Sequence, residues 1–205
     1  MARYDYNLVA VGAGAAGLVS SYIASAVKAR VALIEKNLMG GDCLNYGCVP
    51  SKSLISSAKL VHQLNQHERF GLKEIQYQVD FPLVIDRIQE IIEAITPHDS
   101  VERYTSLGVE CIEGSAKLVS PHELEVNGSL LSTKNIVIAT GASPAIPPIP
   151  GLEDSAYSTS DSIWKLRELP KQLLIIGGGP IGCELAQAFS RLGSEVTILT
   201  RDPKV

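Results

Sequence analysis

The 205-residue sequence predicts an α/β fold class, and two observations carry that prediction. A short apolar strand, a glycine-rich turn and a helix follow one another near the N-terminus, and the same order returns about 165 residues later. Between these two stretches, short strands joined by an Asn127-Gly128 turn are typical of an antiparallel meander. We therefore expect a parallel sheet with a small antiparallel β meander. An incomplete second unit with the same strand–turn–helix order should follow it.

Composition places the chain among ordinary soluble globular proteins, with 45% hydrophobic and 20% charged residues. The net charge of −4 gives no reason to expect a nucleic-acid or membrane-surface partner. No apolar run reaches the roughly 18 residues that a membrane span needs. The apolar run 8–19 is not read as a secretory signal, because Asp5 precedes it and its glycines form a regular pattern. A cytoplasmic protein is the expectation.

The first forty residues predict a strand, turn, helix and second strand. The strand covers residues 6–11, the glycine turn 12–17, the helix 18–28 and the second strand 31–34, which Glu35 closes. This order is the βαβ arrangement of a parallel sheet.

The middle of the chain predicts two amphipathic helices and then short strands. The first helix covers 50–66. The second begins near Phe81, is ended or kinked at Pro97, and resumes over 99–107. The strands are expected at 109–113, 116–119, 124–126 and 136–139. A proline-rich stretch, 144–151, follows and predicts a domain boundary, giving domains 1–149 and 150–205.

The second unit is predicted from residue 162 onwards. Its expected elements are a short helix at 162–169, a strand at 173–176, the glycine turn 177–182, a helix at 183–192 and a strand at 196–199.

Both turns have the spacing Gly-x-Gly-x-x-Gly between a strand and a helix, as in Rossmann-like dinucleotide-binding units. The first glycine permits the tight turn, the second lets a pyrophosphate approach the backbone, and the third lets helix and strand pack closely. The glycines concerned are Gly12, Gly14 and Gly17 in one turn and Gly177, Gly179 and Gly182 in the other. Phosphate would lie on amide groups at the positive end of each helix. The sequence therefore predicts two dinucleotide sites.

The residue that ends each second strand indicates which dinucleotide is bound. Glu35, 18 residues after Gly17, can accept hydrogen bonds from a ribose diol, which suits FAD. The same count from Gly182 reaches Thr200, and Arg201 follows it. A guanidinium without a carboxylate suits a 2′-phosphate, so the second site favours NADPH over NADH.

The segment GGDCLNYGCVPSK, residues 40–52, places Cys43 and Cys48 five residues apart at the start of a predicted helix. Zinc would need more cysteine or histidine at short spacing, so a metal site is not expected. A helix N-terminus and the ammonium of Lys52 both favour a nearby thiolate. The two residues are either a redox-active dithiol or unpaired cysteines in a glycine-rich loop, and the flanking dinucleotide turns favour the first.

This segment resembles the redox-active disulfide motif of the class I pyridine nucleotide–disulfide oxidoreductases, which include glutathione reductase, dihydrolipoamide dehydrogenase and mercuric reductase. The resemblance covers the whole chain, through both glycine turns, the triplet Ala139-Thr140-Gly141 and the stretch up to Glu184. It implies that Cys48 is the charge-transfer thiol against the flavin and Cys43 the interchange thiol.

The resemblance also implies a set of contacts around the two cofactors. Lys52 would lie near the flavin ring and pair with Glu184. The residues expected at FAD are Gly12, Gly14, Gly17, Glu35, Lys36, Gly41, Asp42, Ala139, Thr140 and Gly141. Those expected at NADPH are Gly177, Gly179, Gly182, Thr200 and Arg201, while Cys111 and Cys183 are interpreted as packing residues.

By this resemblance, NADPH reduces FAD, FAD reduces the Cys43–Cys48 disulfide, and the dithiol reduces an acceptor, either a disulfide or Hg(II), in a homodimeric enzyme. Asp42 stands where the family usually has threonine, and the mercuric-reductase-like branch is the nearest type. The family's later flavin-binding and His-x-x-x-x-Glu motifs are not found, which predicts the N-terminal part of a longer enzyme. The first alternative is a catalytically incompetent flavin- or nucleotide-binding fragment, which is the expectation for these 205 residues on their own. The others are an NAD-linked dihydrolipoamide dehydrogenase and, least favoured, a flavin oxygenase or oxidase.

Overall fold

The computed structural model describes residues 4–201, and the expected ends of the two domains at residues 1 and 205 lie outside them. The helices and strands, in chain order, are β1 (Tyr6–Val11), α1 (Ala15–Ala26), β2 (Val31–Glu35), α2 (Gly41–Asn45), α3 (Cys48–Asn65), α4 (Phe81–Ile95), α5 (Val101–Ser106), β3 (Val109–Glu113), β4 (Lys117–Ser120), β5 (Glu123–Val126), β6 (Ser129–Ile138), β7 (Gln172–Ile176), α6 (Pro180–Leu192) and β8 (Glu195–Leu199). Single-turn 3₁₀ helices lie at His67–Phe70, Thr96–Asp99 and Ile163–Lys165. The predicted α/β class is confirmed.

The chain forms two compact units. The first contains residues up to Asn45 together with 93–146, and the second contains 46–92 together with residues from Pro147 onwards. The helices α3 and α4 thus group with the C-terminal part of the chain, and the division passes between Cys43 and Cys48. The functional domains 1–149 and 150–205 remain a prediction.

The first unit contains a six-stranded sheet with the strand order β3-β2-β1-β6-β5-β4. The first four of these strands are parallel, with Val9 opposite both Ala32 and Ile136 in the register. The last three form the antiparallel meander. Both parts of the predicted sheet are therefore present, and β6 belongs to both.

The central strands are buried on both faces, as parallel strands usually are. On one face, Ala10 and Leu33 pack with Leu18 of α1 and Tyr104 of α5. On the other face, alternate residues of the same strands pack against the meander; that cluster is Val9, Ala32, Ile34, Leu124 and Val126. The period of two along each strand sends neighbouring residues to opposite cores.

The second unit is built around three helices. Helix α3 packs on α6, and the ring of Phe81 at the start of α4 lies 5.9 Å from that of Phe189 in α6, between ring centroids. The strands β7 and β8 are parallel, with Ile175 opposite Ile198.

Three sequence-based expectations about elements were wrong. The helix expected at 162–169 is a single 3₁₀ turn, because Leu166 already has extended backbone and Pro170 disfavours helix in the residue before it. The strand expected at 136–139 is the end of the ten-residue β6, whose first half closes the hairpin. Both helices after the glycine turns begin earlier than expected, at Ala15 and Pro180, because the second glycine of each turn is the N-cap.

Candidate active site

The first glycine turn is shaped by backbone contacts that exclude side chains. Gly12 has φ +104°, and a methyl group there would overlap the carbonyl oxygen of Ala139. A methyl group on Gly17 would overlap the carbonyl oxygen of Gly12. The predicted Ala-Thr-Gly triplet and the turn therefore lie against each other, and both positions require glycine.

Gly14 is the N-cap of α1, with no side-chain cap and φ −78°. A methyl group at this position would have its nearest neighbour, the Cα of Gly41, at 3.9 Å. The position thus has room for a methyl group, and it lies at the N-terminus of α1, where the first helix amides have no helical acceptor. Backbone geometry does not require glycine at this position, and its expected role beside a pyrophosphate remains a prediction.

The loop before Cys43 lies against this turn. The Gly40 amide donates to the carbonyl of Ala13 at 3.0 Å, and a methyl group on Gly41 would lie 2.5 Å from the Cα of Gly14. Asn45 fixes the loop by donating from Nδ2 to the carbonyl oxygen of Gly41 at 2.8 Å. Sequence reasoning missed Asn45, because an asparagine inside a five-residue helix has no pattern of its own.

Glu35 lies at the end of β2, within hydrogen-bond distance of the glycine turn. Its Oε2 accepts from the Ala13 amide at 2.6 Å, and its Oε1 accepts from the Asn37 amide at 2.7 Å. Each carboxylate oxygen can accept a further hydrogen bond, as a ribose diol would need. The other expected FAD contacts flank this region; Lys36, Asp42, Thr140 and Gly141 are exposed.

The second glycine turn repeats the first in the second unit. Gly177 has φ +115°, and a methyl group on Gly182 would overlap the carbonyl oxygen of Gly177. The Gly177 amide donates to the carbonyl of Leu199 at 2.8 Å, as the Gly12 amide does to Ile34 at 2.7 Å. A methyl group at Gly179, the N-cap of α6, would meet no heavy atom within 4 Å among the described residues. This turn also fits a pyrophosphate.

The residues expected to select the second nucleotide follow β8. Thr200 is half-buried and Arg201, the last described residue, is exposed. Within the turn, the Cys183 thiol donates to the carbonyl of Gly178 at 3.4 Å, in agreement with its interpretation as a packing residue.

The cysteine motif begins two elements. Cys43 is half-buried in α2 of the first unit, and Cys48 is the exposed first residue of α3 in the second unit. Gly47 is the N-cap of α3, and the Ser51 amide closes the first turn on the Gly47 carbonyl at 3.1 Å. Cys48 therefore lies at the positive end of the dipole of an 18-residue helix.

Lys52 and Glu184 form the ion pair that the resemblance implies. Lys52 Nζ lies 2.6 Å from Glu184 Oε2, and the side chains are 60% and 42% exposed. Lys52 follows Cys48 by four residues, so both lie on one face of α3. Glu184 is in the second turn of α6, directly after the second glycine turn. The pair thus joins the helix of the thiol to the helix of the nucleotide turn within one unit.

Trp164 makes a contact with the cysteine loop that sequence reasoning missed. Its indole Nε1 donates to the carbonyl oxygen of Tyr46, between the two cysteines, at 2.8 Å. The indole is buried, with 5% exposure. Trp164 is the only tryptophan in the chain, and it follows the apolar Ile163. The sequence therefore indicates a core residue and gives no sign of the hydrogen bond to the cysteine loop.

The remaining thiol, Cys111, lies half-buried in β3. Burial raises the pKa of the Cys111 thiol, so this cysteine stays protonated more readily than an exposed one. Among residues 4–201, no cluster of three or more metal-ligating side chains occurs, and no helix is both long and apolar enough to cross a membrane.

Comparisons with known proteins agree on one family. Residues 6–205 match the family model described as pyridine nucleotide-disulphide oxidoreductase. The chain is 38% identical over 203 residues to a mercuric reductase of Bacillus cereus, covering 99% of this chain and 32% of that protein. It is 36% identical over 201 residues to a dihydrolipoyl dehydrogenase of Acholeplasma laidlawii, covering 95% of this chain and 59% of that protein.

A solved structure supports the same assignment. The Cu(II) complex of a mutant of the HOCl-induced flavoprotein disulfide reductase RclA from Escherichia coli matches with a TM-score of 0.82 and 30% identity. The match covers 98% of this chain and 43% of that chain. The chain thus spans only 32% and 59% of the two curated relatives and 43% of the solved chain.

Proposed function

The chain belongs to the pyridine nucleotide-disulphide oxidoreductase family, and from that premise we propose that it passes electrons from NADPH, through FAD, to a Cys43–Cys48 disulfide that reduces an acceptor. The observation that carries the proposal is the ion pair between Lys52 and Glu184. An exposed pair of this kind contributes only about 0–1 kcal/mol to stability, so its weight in the proposal comes from the two helices that it joins. It connects the proposed thiol helix with the proposed nucleotide turn.

The two glycine turns would hold the cofactors. FAD fits the first turn, where Gly14 leaves room for the pyrophosphate and Glu35 keeps acceptor sites for the ribose. When bound, FAD supplies hydride acceptance and two-electron transfer. The pyridine nucleotide fits the second turn, where Gly179 faces open space.

The chemistry of the chain's own residues is thiol–disulfide exchange. Two electrons and two protons convert the Cys43–Cys48 disulfide into two thiols. With a disulfide acceptor, the Cys43 thiolate attacks one acceptor sulfur and releases the first acceptor thiol. The Cys48 thiolate then attacks the Cys43 sulfur, which releases the second acceptor thiol and restores the Cys43–Cys48 disulfide.

Lys52 and Glu184 place a charged pair on the helix of the proposed flavin thiol. The ammonium of Lys52 lies on the Cys48 face of α3. Glu184 holds the ammonium in place through the 2.6 Å contact. Cys48 is proposed as the thiol that meets the flavin, and Cys43 as the thiol that meets the acceptor.

The acceptor is proposed to be a disulfide or Hg(II). The mercuric reductases and dihydrolipoyl dehydrogenases among the relatives are named for these two kinds of chemistry. For the nucleotide, Arg201 favours NADPH, whereas the similarity to dihydrolipoyl dehydrogenases favours NADH as the second candidate. A homodimer in the cytoplasm, where glutathione keeps thiols reduced, completes the proposal.

The test is the visible absorption of the purified protein with FAD, recorded anaerobically before and after NADPH or NADH. We expect a flavin band that NADPH bleaches faster than NADH, and a long-wavelength thiolate–flavin band that Cys48→Ser removes. Cys111→Ser is the matched control and should leave both bands unchanged, since Cys111 is a packing residue of β3. A protein that retains no flavin, or a flavin that neither nucleotide reduces, would contradict the proposal and favour a nucleotide-binding fragment without catalysis.

A further inference from the structure

The start of helix α3 leaves one carbonyl group of the cysteine loop without a helical donor. Pro50 has no amide hydrogen, so it cannot bond the carbonyl of Tyr46 four residues earlier, as a longer helix would require. The Ser51 amide instead closes the first turn on Gly47. The helix therefore begins at Cys48, and the carbonyl of Tyr46 needs a donor from elsewhere.

Trp164 supplies that donor from 118 residues further along the chain, at 2.8 Å. An indole N–H can only donate, and it needs a partner when the ring is buried. With 5% exposure the ring has little access to water. The hydrogen bond thus satisfies the tryptophan and fixes the loop carbonyl at the same time.

The position of Trp164 is set by a tight turn of its own segment. The Thr159 amide donates to Ser162 Oγ at 2.9 Å, and the Ile163 amide donates to the Thr159 carbonyl at 3.0 Å. These bonds precede the single 3₁₀ turn that contains the tryptophan. Because the turn is closed by both side-chain and backbone bonds, the indole is presented by a defined local structure.

A second set of contacts connects the same segment to α3 through α4. The guanidinium of Arg167 donates to both carboxylate oxygens of Asp86, at 2.5 and 3.1 Å. The next residue of α4, Arg87, donates to the carbonyl of Ser53 in α3 at 3.2 Å. The tryptophan segment is therefore anchored both at the loop before α3 and, through α4, at the body of α3.

We propose that Trp164 is a positioning residue of the redox site: its indole N–H holds the Tyr46 carbonyl and so fixes the loop that joins Cys43 to Cys48. The inference rests on the proposed function of the two cysteines. A fixed loop raises the effective concentration of one thiol at the other, which stabilises the disulfide against reduction. Loss of this one hydrogen bond should weaken the disulfide about fivefold, the factor that corresponds to a net contribution near 1 kcal/mol.

The experiment exploits the presence of a single tryptophan. Replacing tryptophan during biosynthesis by β-(3-benzothienyl)alanine changes only position 164, keeps the ring shape and puts sulfur in place of the N–H. The protein is equilibrated with mixtures of reduced and oxidised glutathione, where the disulfide and two glutathione thiols exchange for a dithiol and oxidised glutathione. Mass spectrometry measures the fraction that carries the Cys43–Cys48 linkage.

The expected result is a disulfide about fivefold easier to reduce in the benzothienyl protein, and in Trp164→Phe, than in the unsubstituted protein. Ile163→Val, which trims the neighbouring buried side chain, is the matched control and should leave the equilibrium unchanged while lowering the melting temperature slightly. An unchanged disulfide equilibrium in the benzothienyl protein, or an equal change of that equilibrium in Ile163→Val, would overturn the role of Trp164 but leave the proposed function standing. Absence of any Cys43–Cys48 linkage in the unsubstituted protein would overturn the proposed function and this inference with it.

Discussion

The two glycine turns share one backbone design but differ in what surrounds them. In each, the third glycine lies against the carbonyl oxygen of the first, and the first glycine has a positive φ. Around the first turn, Ala139 lies against Gly12, and the loop before Cys43 lies against Gly14. Around the second, methyl groups at Gly177 and Gly179 would meet nothing within 4 Å among residues 4–201.

This difference separates two roles of glycine that the sequence pattern combines. Where the chain itself fills the space beside a glycine, the residue is needed for folding. Where that space is open, glycine leaves room for a ligand or avoids a strained backbone. The same six-residue pattern therefore predicts different consequences of substitution in the two turns.

Among the first and second glycines of the two turns, the largest loss of stability should come from substitution of Gly12. Gly12→Ala combines a positive φ of +104° with overlap against a backbone carbonyl, so it should lower the free energy of unfolding by about 3 kcal/mol or more. Gly177→Ala has φ +115° and no overlap, so its loss should be only about 1–2 kcal/mol. Urea denaturation followed by circular dichroism measures both, and equal losses would remove the distinction between the turns.

The second glycines should affect binding rather than stability. Gly14 and Gly179 have φ −78° and −73°, which any residue adopts, and a methyl group at either position has room. Alanine there should change the free energy of unfolding by less than about 1 kcal/mol. It should weaken dinucleotide binding at least about tenfold if, as proposed, the pyrophosphate approaches the backbone at these two glycines.

Calorimetric titration of each variant with FAD and with NADPH checks this expectation. Gly14→Ala should weaken FAD binding and spare NADPH, and Gly179→Ala should do the reverse. Unchanged affinity in both variants would show that the open space is not a ligand site.

An effect confined to alkaline pH concerns the strand before each turn. The residue six positions before the first glycine is Tyr6 in the first unit and Lys171 in the second. Burial raises the pKa of Tyr6 to about 12, assisted by its hydrogen bond to Glu110 Oε2 at 2.8 Å. The unfolded chain loses this proton near pH 10.0, whereas the folded chain keeps it until about 12. The stability that the buried, protonated Tyr6 hydroxyl contributes is thus fully present below pH 10 and is lost as the pH rises towards 12.

Tyr6→Phe removes that titration. The urea midpoints of the unsubstituted protein and of Tyr6→Phe should be measured from pH 8 to 12. The midpoint of the unsubstituted protein should fall more steeply as the pH rises, so that the two midpoints converge. A constant difference across this range would show that Tyr6 does not titrate differently in the folded and unfolded chains.

Local sequence patterns predicted the parts of the fold that local chemistry controls. Alternation and short apolar runs placed the central strands, and the glycine spacing placed both turns, since a positive φ at the first glycine is a property of the chain at that point. The 3₁₀ turn at 163–165 was expected to be a longer helix, because apolar spacing does not reveal that extended backbone resumes at Leu166.

The site could be predicted only in part for a related reason. The contact between Lys52 and Glu184 was reached through resemblance to a known family and not through spacing, since the two residues are 132 apart. No sequence pattern predicts the hydrogen bond between Trp164 and Tyr46, because the two residues are 118 apart in the chain. They come into contact only when the second unit packs. Pro50 was visible as a helix-start residue, but its effect on a carbonyl four residues earlier emerged only with the fold.

The proposed function requires that Cys43 and Cys48 form a disulfide that a pyridine nucleotide reduces through bound FAD. The most direct measurement is anaerobic thiol counting on the FAD-loaded protein before and after NADPH, with the modified residues identified by mass spectrometry. We expect two additional thiols per chain to become reactive after NADPH and both to map to Cys43 and Cys48. No gain in thiols after NADPH, or a gain that maps to Cys111 or Cys183, would contradict it.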